Sequence, residues 1–215
     1  MNKTGVDEVG LRDLLVTLAA SLFARGYSVG SAGNISVRLA DGYLMTPTNS
    51  CLGRLEAARL SRLDAVFAHV GGDPPSKEVF MHRAFYQARP DARAVVHLHS
   101  TMATAVACLA DADPENPIPP LTPYFVMRVG RRLPIVPYYR PGDATMEPAI
   151  AEQARTARAV LLANHGPVVS GRTLTDAVYA AEELEEAAKL FFMTRTAPTR
   201  TLSPAQVADL LAKFG

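Results

Sequence analysis

His97-Leu98-His99 has the clearest capacity for chemistry in this sequence. In an extended strand, residues two apart face the same way, so both imidazoles can reach one ion while Leu98 points to the other side. The same pattern also suits a half-buried strand whose polar face holds two hydrogen-bonded histidines. A third imidazole adds weight to chelation. His165, within Asn164-His165-Gly166, ends an apolar stretch just before a Gly-Pro break, where side chains tend to line clefts. Three neutral imidazoles with an open fourth position describe a catalytic zinc site, whereas structural zinc takes four closed ligands, often sulfur. His69 and His82 are read as packing or supporting groups outside such a metal shell; His82 lies four residues after Glu78, on the same helical face.

Glu78 sits in the first turn of an expected helix, behind Asp73-Pro74-Pro75-Ser76-Lys77. There it is either a carboxylate that reaches a bound substrate or a surface glutamate favourably placed at the positive end of a helix. Three small polar clusters could hold a phosphate: Gly33-Asn34, Thr46-Pro47-Thr48-Asn49 and Ser76-Lys77. In the last, free helix amides and the dipole favour an anion. Taken singly, each cluster is better explained by turn chemistry or, for Ser76, by helix capping. No GxGxxG, P-loop or CxxC pattern occurs.

The elements that must position these residues follow from periodicity and breakers. Apolar residues at three and four residue spacings, with Gly26 as a stop, predict a helix over 7–25. Alternation on both sides of Ala40-Asp41-Gly42 predicts a hairpin of 34–39 with 43–46, and Ala65–Ala68 suggests a further strand. A helix is expected over 76–89, a short β-prone run over 93–99, a helix over 102–109 and a proline-rich loop over 114–123. Then come a strand at 134–137, a helix at 146–155, a strand at 159–163 and, at 167–170, its continuation or hairpin partner. Two helices close the chain, over 174–192 and 203–213, the second with Ser203 as an N-cap. Helices and strands mix throughout and no repeat appears, so an α/β layered fold is expected.

With 215 residues, of which 48% are hydrophobic and 20% charged, one domain over 1–215 accommodates the whole chain. The net charge of +1 gives no general attraction to a polyanion, so nucleic acid is not an expected partner. No apolar stretch approaches the roughly 20 residues of a membrane-spanning helix, and no membrane partner is expected. Cys51 and Cys108 carry no motif and the chain does not begin like a secretory signal, which makes a reducing cytoplasm the default location.

Together, Gly33-Asn34-Ile35-Ser36, Met45-Thr46-Pro47-Thr48, Ser76-Lys77-Glu78 with Met81-His82, Val96-His97-Leu98-His99 and Asn164-His165-Gly166 resemble, in order and spacing, the class II aldolase/adducin family. The match runs from about residue 8 to 193. Segments such as Pro75-Ser76-Lys77-Glu78, Thr122-Pro123-Tyr124-Phe125 and Pro137-Tyr138-Tyr139-Arg140-Pro141-Gly142-Asp143 resemble its 3-oxo-tetronate 4-phosphate decarboxylase branch. The resemblance implies a three-layer α/β/α fold with a mostly antiparallel central sheet and a homotetramer with sites between subunits. It implies His97, His99 and His165 as ligands of one divalent metal per subunit, usually Zn2+, with Glu78 as the acid/base group. It places Gly33, Asn34, Thr48, Asn49, Ser76 and Lys77 at phosphate-binding positions and Tyr124 near a tyrosine that family aldolases use from a neighbouring subunit. The implied reaction is metal-dependent loss of CO2 from a small phosphorylated sugar acid to give dihydroxyacetone phosphate. Alternatives are a sugar-phosphate aldolase or epimerase, and a non-catalytic adducin-like binding module. Family aldolases commonly carry two small hydroxyl residues before the glutamate, where this chain has Ser76-Lys77.

Overall fold

Eight strands form one sheet: β1 Asn34–Arg38, β2 Gly42–Met45, β3 Ser61–Asp64, β4 His69–Gly71, β5 Ala94–His97, β6 Ile135–Val136, β7 Ala159–Leu162 and β8 Gly166–Gly171, in the spatial order β4-β3-β2-β1-β5-β8-β7-β6. Every neighbouring pair is antiparallel except β6 with β7. The computed structural model describes residues 7–214. Its helices are α1 Glu8–Ala24, α2 Val79–Ala88, α3 Thr101–Ala107, α4 Pro123–Arg128, α5 Glu147–Ala154, α6 Leu174–Thr194 and α7 Pro204–Phe214.

The pleat of the central strands divides the core in two. In β5, Ala94 and Val96 face a cluster with Leu15 and Leu22 of α1 and Leu184 of α6, while Val95 faces Met81 and Phe85 of α2 and Ile150 of α5. β7 alternates the same way, Ala159 and Leu161 toward the first cluster and Val160 and Leu162 toward the second. A strand buried on both faces reads as a continuous apolar run, as Ala159–Leu162 does. The result is the expected helix, sheet, helix layering around a mostly antiparallel sheet.

Local chemistry sets the element ends. Asp7 caps α1 by accepting from Gly10 N at 2.8 Å, and Thr173 caps α6 by accepting from Asp176 N at 3.0 Å. At α7, Ser203 Oγ accepts from Gln206 N while Gln206 Oε1 accepts from Ser203 N, a reciprocal capping box.

Three expectations need correction. Ala65–Ala68 is the turn between β3 and β4: the Asp64 carboxylate accepts from Val66 N and Ala68 N, both at 2.9 Å, and Phe67 takes a left-handed φ of 66° to stack on Tyr43. Side-chain capture of those amides overrides the β propensity of the run. The expected 76–89 helix begins only at Val79, which leaves Ser76, Lys77 and Glu78 ahead of it. The 114–123 loop ends in α4, with Pro123 in its first turn and Thr122 accepting from Phe125 N at 3.1 Å. Residues 167–170 are part of β8, the hairpin partner of β7. Both cysteines are free thiols, and no helix among the described residues is long and apolar enough to cross a membrane.

Candidate active site

The histidine end of β5 lies between β1 and β8, with Asn34 opposite His97 on one side and Val168 on the other. His99 follows the strand, and His165 sits in the turn that joins β7 to β8. Two glycines let these segments close up. A Cβ on Gly33, whose φ is +79°, would lie 2.8 Å from the His97 carbonyl oxygen. One on Gly166, φ +153°, would lie 2.3 Å from the Leu98 carbonyl oxygen. Neither backbone conformation nor space admits a side chain there.

The three imidazoles converge. Their ring centroids are 4.7–4.9 Å apart with the planes steeply inclined, and one ligand atom from each lies within 4.8 Å of the others. His97 Nδ1 faces the Pro167 carbonyl oxygen at 2.9 Å, and since a carbonyl only accepts, that nitrogen carries the proton. The Nε2 lone pair of His97 is therefore left facing His99 Nε2 at 3.1 Å. Burial, followed by repulsion from His165 and His99, drives the His97 pKa well below its ordinary value. Burial and then His165 lower His99 to about 4, and burial lowers His165 against the opposing pull of Glu78. His165 Nδ1 is buried with no hydrogen-bond partner. Neutral nitrogens turned toward one point, one pair almost in contact, are what a divalent cation requires of its donors.

Glu78 stands beside them, with Oε2 3.7 Å from His97 Nε2 and Oε1 3.6 Å from His165 Nε2. Ser76 and Lys77 precede it, and their loop is tied to the one after β2 by Ser76 N to Thr46 O at 3.3 Å and Thr48 N to Pro74 O at 2.9 Å. These ties bring all three polar clusters together. Gly33, Asn34, Thr48, Asn49, Ser76, Lys77, Glu78 and His99 line one cleft of about 470 Å³. Asn49 adopts a left-handed φ of 56° there, and Lys77 is exposed with no ion-pair partner among the described residues. Tyr124 lies elsewhere, on α4, 60% exposed and outside the lining of the cleft.

Three features went unseen in the sequence. Pro141 and Gly142 line the cleft from a distant loop. Asn34 turns its amide inward, where Nδ2 donates to Glu78 Oε2 at 2.8 Å and Oδ1 accepts from His82 Nε2 at 2.5 Å. Behind His82, Nδ1 meets Ser36 Oγ at 2.7 Å, and Ser36 Oγ meets the Tyr86 hydroxyl at 2.9 Å. The available signal was Asn34 and Ser36 two apart on a strand, with Glu78, His82 and Tyr86 four apart across a helix start.

An antiparallel α/β/α fold with an imidazole cluster and an adjacent carboxylate defines the class, and the chain belongs to the class II aldolase/adducin family: the domain described as Class II Aldolase and Adducin N-terminal domain matches residues 13–192. Among individual proteins, it is 51% identical over 204 residues to the 3-oxo-tetronate 4-phosphate decarboxylase of Escherichia coli strain K12, covering 94% of this chain and 96% of that one. The crystal structure of YgbL from Klebsiella pneumoniae superposes with a TM-score of 0.92 at 50% identity, covering 96% of this chain and all of that one. L-fuculose phosphate aldolase of the same E. coli strain is 35% identical over 191 residues, 88% of this chain and 86% of the relative.

Proposed function

We propose that this chain is a carboxy-lyase that converts 3-oxo-tetronate 4-phosphate to dihydroxyacetone phosphate and CO2. The observation that carries this reading is one cleft lined by His99, Glu78, Ser76 and Lys77, with His97 and His165 against Glu78 at its inner end, an arrangement for a substrate with a reactive end and an anionic end. Its likeness to relatives that bear this activity in their names separates it from the aldolase alternative.

His97, His99 and His165 would hold one divalent cation, with zinc favoured by a neutral three-nitrogen set. When bound, that cation supplies Lewis acidity to oxygens of the substrate as negative charge develops on them. The chain's own residues do the rest. Lys77, Ser76, Thr48, Asn49 and Gly33 bind and orient the phosphate, which fixes the C1–C2 bond out of the plane of the C3 carbonyl. Breaking that bond releases CO2 and leaves its electron pair in the C2–C3 enediolate. Glu78 then delivers a proton to C2 through Oε1, the oxygen not engaged by Asn34, and regains one from solvent. Tyr124, exposed on α4, serves as a second proton donor if a neighbouring subunit presents it, and we place the enzyme as a cytoplasmic homotetramer of single-domain subunits.

Incubating metal-loaded protein with 3-oxo-tetronate 4-phosphate should release CO2 and dihydroxyacetone phosphate in equal amounts, and a chelator should stop both. Cleavage of a sugar phosphate to an aldehyde and a triose phosphate, with no CO2 from the tetronate, would replace this reading with the aldolase one.

A further inference from the structure

The file of side chains behind Glu78 has only one consistent direction of hydrogen-bond donation. The proton that Glu78 passes on is carried by Oε1, so Oε2 only accepts, and the Asn34 atom that meets it is the amide nitrogen. Asn34 must then turn Oδ1 toward His82, where Nε2 is 2.5 Å away and has to carry the proton. A neutral imidazole protonated on Nε2 accepts at Nδ1, so the Ser36 hydroxyl donates across 2.7 Å, and Ser36 in turn accepts from the Tyr86 hydroxyl across 2.9 Å. His82 is fully buried, and burial lowers its pKa to about 3, which removes the doubly protonated form that would abolish the acceptor.

The frame that holds these groups is rigid. Asn34 and Ser36 lie on β1 facing α2, with His97 and Val95 of β5 as their cross-strand neighbours. His82 and Tyr86 are one turn apart on α2, inside the cluster formed by Phe80, Met81 and Phe85. Behind Asn34, which meets the cleft, no solvent proton donor can substitute for a missing member, since Ser36, His82 and Tyr86 are all at most 3% exposed.

We propose that His82 is a positioning residue for the reaction: through its Nε2–H it locks the Asn34 amide in the one orientation that pins Glu78 Oε2, which aims Oε1 at the reacting carbon, and Ser36 and Tyr86 lock His82 in the tautomer this needs. The proposal rests on the decarboxylase reading for the reaction but not for the direction of the hydrogen bonds. Its cost when broken is one of geometry, because a misplacement of about 1 Å at a proton-transfer group can cost on the order of 100-fold.

The test compares His82→Gln with His82→Asn in the metal-loaded enzyme. A glutamine amide reaches the place of Nε2 and restores a donor to Asn34, whereas an asparagine amide stops at the place of Nδ1. On 3-oxo-tetronate 4-phosphate, His82→Asn should lose roughly 10–100-fold in kcat with KM within about 3-fold and metal content unchanged, and His82→Gln should recover to within about 5-fold of the parent. Equal losses in the two variants, a loss confined to KM, or full kcat in His82→Asn would each overturn the proposal. Nitrogen-15 NMR of the imidazoles in the parent protein supplies a readout that needs neither substrate nor a folded variant. His82 should be the Nε2–H tautomer, and an Nδ1–H tautomer sinks the idea. A parent enzyme that does not turn over the tetronate, while His82 shows the expected tautomer, rejects the decarboxylase reading and leaves the hydrogen-bond order standing.

Discussion

β5 and β8 run between two clusters of nitrogen bases on which burial has opposite outcomes. At one end, His97, His99 and His165 are driven neutral, and one ring nitrogen of each faces the others. At the other end, where Ala94 pairs with Gly171, Arg89, Arg128, Arg158 and Arg172 line a smaller cavity of about 180 Å³. Burial, then Arg172 and Arg89, lower the pKa of Arg158, yet a guanidinium starts so high that it keeps its proton. The arginine end therefore needs partners: Asp91 approaches Arg89 at 3.5 Å and Arg172 at 3.9 Å, and Arg158 donates to the Met127 carbonyl oxygen at 3.2 Å. The same pressure yields electron pairs ready for a cation at one end and a held charge at the other. Residue type, through its starting pKa, decides which.

The strongest way to break the contrast is to remove a lone pair. His97→Ala should lose bound metal and reduce CO2 release by more than the roughly 10–100-fold typical of an outer-shell change; metal analysis with product assay checks both, and full activity in the chelator-stripped variant would refute the metal site. Next in size is Gly166→Ala, whose Cβ would meet the Leu98 carbonyl oxygen at 2.3 Å. It should cost about 1–3 kcal/mol in thermal unfolding and weaken metal retention, whereas Gly26→Ala, with open space around it, should cost stability alone.

The pH dependence sharpens the comparison. His82 titrates at about 3 when folded and near 6.5 when unfolded, so below pH 6.5 the unfolded chain takes up a proton that the native state refuses. Stability from this group is complete above that pH and falls by roughly 1 kcal/mol per unit as pH drops toward 3. In denaturant unfolding of the stripped protein His97, His99 and His165 add slopes of the same sign, so His82→Gln should reduce the pH dependence by the His82 share and leave theirs. A smaller effect is expected of Lys77→Ala, a several-fold rise in KM with kcat within about 2-fold; an unchanged KM counts against its role on the phosphate. The smallest is Arg158→Met, which should leave both constants within about 2-fold.

Much of this architecture was legible in the residues themselves. Ala159–Leu162 reads as a buried strand, the 7–25 periodicity as a helix, and the five motif segments as one family. The spacing of His97 and His99 shows a shared face, and a third histidine before Gly166 suggests a cleft. What the sequence does not display is side-chain capture and tertiary pairing. Asp64 converts an apolar run into a turn through two bonds that no propensity contains. Asn34 looks like one more polar residue beside a glycine, and only the pairing of β1 with β5 turns it toward Glu78. The placement of Tyr124 away from the cleft is equally invisible, because the linker before α4 has no period to read.

The register of β1 against β5 ties binding chemistry to folding fidelity. The pleat that sends Asn34 and His97 toward α2 sends Ile35 and Val96 toward α1, so a slip of one residue would put imidazole in oil and aliphatic side chains in the cleft. A misregistered sheet is then chemically mute as well as unstable. Capture of an ion by the three histidines would certify that the middle and last thirds of the chain have found each other in the right frame, which would make metal uptake a proofreading signal for the fold.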